Sequence, residues 1–135
     1  MPNADKFLRI VLYTDAATCV ATGLLLALGA QVIADLTLIP ANLSLFAGLS
    51  LFPIALFIGF AATRHPLVAP PVWLVIAGNA AWVLASLWLA FAGAIAPNMF
   101  GTVFILVQAV AVALLAELEF FGLRRLQSAS GVLHA

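Results

Sequence analysis

Long apolar stretches alternate with short polar breaks along the chain, and this pattern predicts four membrane-spanning helices. A span needs about 20 mostly apolar residues. Four segments meet that requirement, and they cover residues 7–33, 42–63, 70–95 and 98–122. The short breaks between them contain Pro40, Arg64 and Pro97, which interrupt a helix or add charge. The predicted fold class is therefore all-α, a four-helix transmembrane bundle formed by one domain over residues 1–135.

The composition supports a lipid environment. Of the 135 residues, 66% are hydrophobic and 7% are charged, whereas soluble domains carry about 25% charged residues. Such a chain could not cover a water-facing surface, so the lipid bilayer is its expected surroundings. Its net charge is zero and its few basic residues are dispersed. We therefore expect no nucleic-acid partner, because nucleic-acid binding needs a clustered basic surface.

The basic residues predict the orientation of the spans. Lys6 and Arg9 precede or begin the first span, Arg64 lies between the second and third, and Arg124 and Arg125 follow the fourth. With four spans, all five fall on the same side of the membrane. The positive-inside rule makes that side cytoplasmic, so both the N and the C terminus are expected in the cytoplasm.

The first and third spans contain similar segments. Residues 15–22 (DAATCVAT) align with residues 79–86 (NAAWVLAS), which matches Asp15 with Asn79 and Thr22 with Ser86. This alignment indicates two antiparallel hairpins related by a parallel internal repeat, with a pseudo-twofold axis along the membrane normal. Alanine-rich spans also align by chance, and both explanations stay open at this point.

Polar residues inside the spans form the candidate site. This intramembrane cluster consists of Asp15, Thr18, Thr22, Asn79, Ser86, Gln108 and Glu117. A carboxylate at the centre of a spanning helix costs about 2.5–3.5 kcal/mol, so Asp15 is expected to be protonated or to face a polar partner. Asn79 lies at nearly the same depth, and we expect a hydrogen bond between the two.

Asp15 has two interpretations: a carboxylate that binds a proton or substrate, or a structural residue that fixes helix packing. Glu117 lies on a small-residue face of the fourth span, and Glu119 falls on the opposite face with Gln108. Interfacial solvation is expected for both glutamates, because the span ends within two turns.

The sequence contains none of the common motifs for catalysis or metal binding. Cys19 is the single cysteine, and the two histidines, His65 and His134, lie outside the spans. A cysteine or serine nucleophile therefore has no histidine at its depth to act as base, and a bis-histidine haem has no ligands. We expect a protein that is not an enzyme and that has no cofactor and no metal site.

Three segments carry a resemblance to a known group. They are residues 22–30 (TGLLLALGA), residues 76–84 (IAGNAAWVL), and residues 116–119 (AELE) running into Gly122-Leu123-Arg124-Arg125. In these the chain resembles a group of small, uncharacterised four-span inner-membrane proteins of bacteria. The resemblance implies fold and location: a multi-pass protein of the bacterial inner (cytoplasmic) membrane.

Three functions follow from these features as hypotheses. Minimal loops and small-residue helix faces favour an accessory or structural subunit that packs within a larger membrane complex, with other membrane subunits or further copies of itself as partners. The alternative is a small proton-coupled transporter, acting as a homo-oligomer with Asp15 as the coupling carboxylate. A membrane enzyme acting on lipid or quinone is the third hypothesis, and it would have to use carboxylic acids alone.

Overall fold

The computed structural model describes residues 2–130, which contain five α-helices and no β-strand. The helices are α1 (Pro2–Leu28), α2 (Ala30–Thr37), α3 (Ala41–Thr63), α4 (Ala69–Phe91) and α5 (Met99–Ser130). All except α2 are long and apolar enough to cross a membrane. The predicted all-α class is therefore confirmed, with four helices that could each span a membrane, and α2 is an additional element. His134 lies outside the described residues.

The first predicted span is divided in two. The sequence predicted one helix over residues 7–33, but α1 ends at Leu28 and α2 begins at Ala30. Gly29 between them has φ −98° and ψ 13°, and a Cβ added there would lie 2.7 Å from the Leu25 carbonyl oxygen. The bend therefore needs a glycine, whose effect is easily missed in a continuous apolar stretch.

The last two spans also end differently from the prediction. Helix α4 stops at Phe91 instead of residue 95, because Gly93 adopts a left-handed φ of 83° just beyond it, which is the usual glycine position after a helix. Helix α5 continues to Ser130 instead of ending at residue 122. The residues that follow Gly122 are good helix formers, and nothing there interrupts the helix.

The helices pack as two antiparallel hairpins, as the sequence predicted. Helix α1 packs along α3, α4 packs along α5, and α1 joins the hairpins by contacting α5. The α1–α3 pair approaches very closely at Gly23 and Gly48, where a Cβ on Gly48 would lie 2.8 Å from the Ala27 nitrogen. Helices α3 and α4 contact each other much less, so a cleft separates them along one side of the bundle.

Polar contacts fix the helices at both ends of the bundle, within the first hairpin at one end and between the hairpins at the other. At one end, which we call the basic end, Arg9 donates to the carbonyl oxygens of Ala62 and Arg64 and pairs with Asp5 at 3.0 Å. At the opposite end, Asn98 donates from its backbone nitrogen to the Thr37 carbonyl oxygen at 2.9 Å. These contacts fix the positions of the helix ends relative to one another.

Candidate functional site

A single amide group joins two carboxyl groups inside the bundle. Asn79 Nδ2 on α4 donates to Asp15 Oδ2 on α1 at 2.8 Å and to Glu119 Oε1 on α5 at 2.9 Å. The exposed fractions of Asp15, Asn79 and Glu119 are 2%, 7% and 0%. The hydrogen bond predicted between Asp15 and Asn79 is therefore present, and a third residue that the sequence did not assign to the site joins it. We call these three residues the acid site.

Antiparallel packing explains why these three side chains meet. Asp15 lies four turns into α1, and Glu119 lies five residues before Arg124 on α5, so both are in the half of the bundle nearer the basic end. Cys19 follows Asp15 by one helical turn and its Sγ lies 3.8 Å from Asp15 Oδ1. Leu8, Leu12 and Leu123 are fully buried at this end, so apolar packing excludes solvent from the acid site there.

The two carboxyl groups have no cationic partner among the described residues. Their oxygens that share the Asn79 nitrogen are at most about 6 Å apart, since each lies within 2.9 Å of that nitrogen. Glu119 Oε2 is buried and has no hydrogen-bond partner within residues 2–130. The ion pair of Arg9 belongs to Asp5. Within residues 2–130, no group of three His, Cys, Asp or Glu side chains is placed to hold a metal ion.

A second hydrogen-bonded group lies two turns away along α4 and three along α5. Trp82 Nε1 donates to Gln108 Oε1 at 2.8 Å, and Gln108 Nε2 donates to Ser86 Oγ at 2.9 Å and to the Ile105 carbonyl oxygen at 2.8 Å. The Ser86 hydroxyl donates in turn to the Trp82 carbonyl oxygen. This group connects α4 to α5 within the second hairpin.

A cavity of about 490 Å³ lies beside the acid site. Asp15, Thr18, Cys19 and Thr22 line it from α1, and Asn79 and Trp82 line it from α4. Its remaining walls are largely apolar and come from three helices: Pro53, Ile54, Phe57, Leu74, Val75, Gly78, Ala111, Val112 and Leu115. We call it the acid cavity, and it occupies the cleft between α3 and α4.

A smaller cavity of about 240 Å³ lies towards the opposite end of the bundle. Ser44 and Ser86 line it among mostly apolar residues. Three residues, Thr22, Trp82 and Gln108, line both cavities. The hydrogen bond between Trp82 and Gln108 is therefore part of the partition between them.

The structure brings most of the predicted site residues together, but not as one cluster. Asp15 and Asn79 form part of the acid site, Ser86 and Gln108 bond to each other, and Thr18 and Thr22 line the acid cavity. Glu117 does not take part, because its side chain is exposed on the outside of α5. Its inclusion in the cluster was wrong.

Glu119 takes the place that the sequence analysis gave to Glu117, and the expectation that Glu119 is solvated at the interface was wrong. It is fully buried. The signal was its spacing of eleven residues from Gln108, about three helical turns, which places both polar side chains on one face of α5. That face of α5 points into the bundle. The small-residue face points away from the bundle at the level of Glu117.

Comparison with known proteins identifies no relative: no family model, no curated protein and no solved structure matches the chain. The acid site and the two cavities are therefore the features that bear on function.

Proposed function

We propose that the protein is a small proton-coupled carrier that binds a largely apolar molecule in the acid cavity. The observation that carries this proposal is the placement of Asp15 and Asn79 in the wall of a cavity of about 490 Å³, with Glu119 fully buried behind them. The acid site supplies the polar recognition, and the apolar walls accept the rest of the molecule.

The cavity favours a binding role over a purely structural one for Asp15. Protein interiors are close-packed, and a polar contact that only fixed two helices would be expected among side chains that fill the space around it. Here Asp15 is among the residues that line a space large enough for a small organic molecule. Intramembrane carboxyl groups that face a cavity are characteristic of substrate and proton pathways.

The pairing of the carboxyl groups supports proton coupling. Asp15 and Glu119 share one donor, and no cationic side chain contacts them among residues 2–130. The two carboxyl groups are placed to share a proton, because two negative charges this close in an apolar region would repel strongly. A ligand that interacts with Asp15 changes that balance, and a proton is then bound or released with the ligand.

A substitution that fills the acid cavity tests this proposal. Gly78 lines the cavity and Gly59 does not, and a Cβ at either position meets no atom within 4 Å. Gly78→Leu therefore adds an apolar side chain to the cavity wall without a backbone clash, and Gly59→Leu is the matched control.

The measurement is equilibrium binding to the purified protein in phosphatidylcholine nanodiscs, with empty discs as background. The probes are three naphthalene derivatives that carry a methylamine, a methanol or a methyl-trimethylammonium group. We expect saturable binding of at least one probe to the wild type and Gly59→Leu, and binding at least about tenfold weaker, or about 1.4 kcal/mol, in Gly78→Leu. No binding above background, or equal binding by both variants, would overturn the proposal.

We further propose that the protein resides in the bacterial inner membrane with both termini in the cytoplasm. The positive-inside rule supports this orientation. Two contacts at the basic end also support it. Arg9 donates to the Arg64 carbonyl oxygen, and the guanidinium carbon of Arg125 lies 5.7 Å from the centre of the Phe7 ring. Attachment of a reporter that is active only in the cytoplasm, at either terminus, gives the test.

Self-association is part of the carrier proposal. Helices α3 and α4 leave the cleft open along one side of the bundle, and a second copy packed there would separate the acid cavity from lipid. Packing as an accessory subunit of a larger membrane complex stays the competing hypothesis from the sequence. Co-purification from mild detergent separates them, since self-association gives one species and a complex brings other subunits.

A further inference from the structure

We propose that the acid cavity takes a protonated primary or secondary amine with an apolar body. This inference rests on the proposed function and specifies the class of molecule that the site binds. It follows from an inventory of the hydrogen-bond donors and acceptors that line the cavity, because a ligand in the membrane must satisfy its polar groups from those side chains.

The donors in the cavity wall are almost all in use within the protein. Both N–H groups of the Asn79 amide point to the two carboxyl groups. The Thr18 hydroxyl donates to the Thr14 carbonyl oxygen at 2.8 Å, and the Cys19 thiol points to Asp15. The Trp82 indole nitrogen donates to Gln108.

The Gln108 amide nitrogen is equally occupied, since it donates to Ser86 and Ile105. Thr22, at the far end of the cavity, is the one lining side chain among residues 2–130 with a hydroxyl hydrogen that has no assigned acceptor. A ligand that needs several donors, such as a carboxylate or phosphate, therefore finds at most this hydroxyl.

Acceptors, in contrast, remain available beside the acid site. The Asp15 carboxyl oxygens each receive one donor, from Asn79 and Cys19, and a carboxylate oxygen can accept more than one. No donor among the described residues reaches Asn79 Oδ1. The opposite orientation of the Asn79 amide would place its oxygen against both carboxyl groups and lose both hydrogen bonds.

The charge of the cavity leads to the same class of ligand. Among the described residues, no lysine, arginine or histidine lines the acid cavity, whereas Asp15 lines it. An ammonium group supplies both the missing positive charge and up to three N–H donors in one place. The rings of Phe57 and Trp82 also line the cavity, and aromatic faces attract cations.

A neutral alcohol and a quaternary ammonium each lack one of the two features, charge and N–H donors, that an amine offers to the site. A neutral alcohol offers one donor and no charge, so it brings no positive charge to the Asp15 carboxyl group. A quaternary ammonium offers the charge and no N–H group, so it leaves the acceptors of Asp15 and Asn79 unsatisfied, which is costly in a buried site. The structure therefore predicts that charge and donors are both required.

The test compares 1-naphthylmethylamine with 1-naphthylmethanol and the N,N,N-trimethyl derivative of the amine, all with the same apolar body. Binding is measured in phosphatidylcholine nanodiscs at neutral pH, and the site is located by comparison of the wild type with Gly78→Leu, because Gly78 lines the acid cavity. We expect the amine to bind the wild type at least about tenfold more tightly than either analogue, which corresponds to about 1.4 kcal/mol, and to lose affinity in Gly78→Leu.

Two variants make the outcome specific to the acid site. Asp15→Asn keeps the size of the side chain and removes its charge, and it should abolish the preference for the amine. Glu117→Gln should keep that preference, because Glu117 is exposed on the outside of α5 and does not line the cavity. Thermal unfolding of each variant establishes that it is folded before its binding is compared.

Three outcomes would overturn the inference. Equal affinity of all three probes for the wild type would overturn the amine class and leave binding in the cavity intact. A preference for the amine that survives in Asp15→Asn would also overturn it. Absence of binding by every probe would overturn this inference together with the proposed function.

Discussion

Asp15 and Glu119 accept hydrogen bonds from the same amide nitrogen, at 2.8 and 2.9 Å, although they belong to the first and last helices of the bundle. The donor, Asn79, lies on α4, so a single side chain connects the two hairpins at the level of the acid cavity. Polar contacts between spanning helices typically contribute about 0.6–2 kcal/mol. This connection carries the chemistry of the proposed site as well as part of its stability.

Removal of the shared donor should destabilise the protein. Asn79→Leu leaves two buried carboxyl groups without their hydrogen bonds, and we expect a loss of about 1–3 kcal/mol in the free energy of unfolding. The measurement is reversible unfolding in mixed detergent micelles. Asn42→Leu is the control, because Asn42 is exposed on α3. An equal effect of the two substitutions would show that the Asn79 hydrogen bonds contribute nothing.

The close crossing of α1 and α3 gives a second prediction. A Cβ at Gly48 would lie 2.8 Å from the Ala27 nitrogen and 2.9 Å from the Gly23 carbonyl oxygen, both of which are backbone atoms. Gly48→Ala must therefore separate the two helices, and we expect a loss of about 1–3 kcal/mol.

Gly59→Ala is the matched substitution on the same helix, since a Cβ there meets nothing within 4 Å. It should be neutral or stabilise by up to about 1 kcal/mol, because alanine favours a helix over glycine. Unfolding of both variants under one set of conditions gives the comparison. A Gly48→Ala protein as stable as the wild type would contradict the described crossing.

The partition between the cavities gives a third prediction. The indole of Trp82 and the amide of Gln108 form a partly buried hydrogen bond at 2.8 Å. A double-mutant cycle with Trp82→Phe and Gln108→Leu should show a coupling energy of about 0.6–2 kcal/mol in unfolding. A coupling energy of zero would mean that the two side chains act independently.

Much of the fold could be predicted from the sequence, because the spans depend on local composition. Four apolar segments of sufficient length predict four helices, and the short break at Pro97 predicts the second hairpin. The boundaries at Gly29 and Gly93 could not be placed in this way. The boundary at Gly93 depends on a left-handed backbone, and the one at Gly29 depends on the close approach of the Leu25 carbonyl oxygen; hydropathy reveals neither.

The acid site could be predicted in part. The matching depths of Asp15 and Asn79 sufficed to predict their hydrogen bond. Glu119 was missed because the direction of a helix face depends on the neighbouring helices, and in an apolar sequence inward and outward faces look alike. The spacing between Gln108 and Glu119 was visible, but its meaning required the packing of α5 against α1 and α4.

Proton release on ligand binding tests the central claim most directly. Purified protein in nanodiscs, in weak buffer with a soluble pH dye, is mixed with 1-naphthylmethylamine at concentrations that saturate the site. A cation beside Asp15 disfavours a proton shared between the two carboxyl groups, so the account predicts release of up to about one proton per bound amine. Asp15→Asn should release none. Saturable binding to the wild type with no proton released, or equal release by Asp15→Asn, would contradict a carrier coupled to protons through this residue.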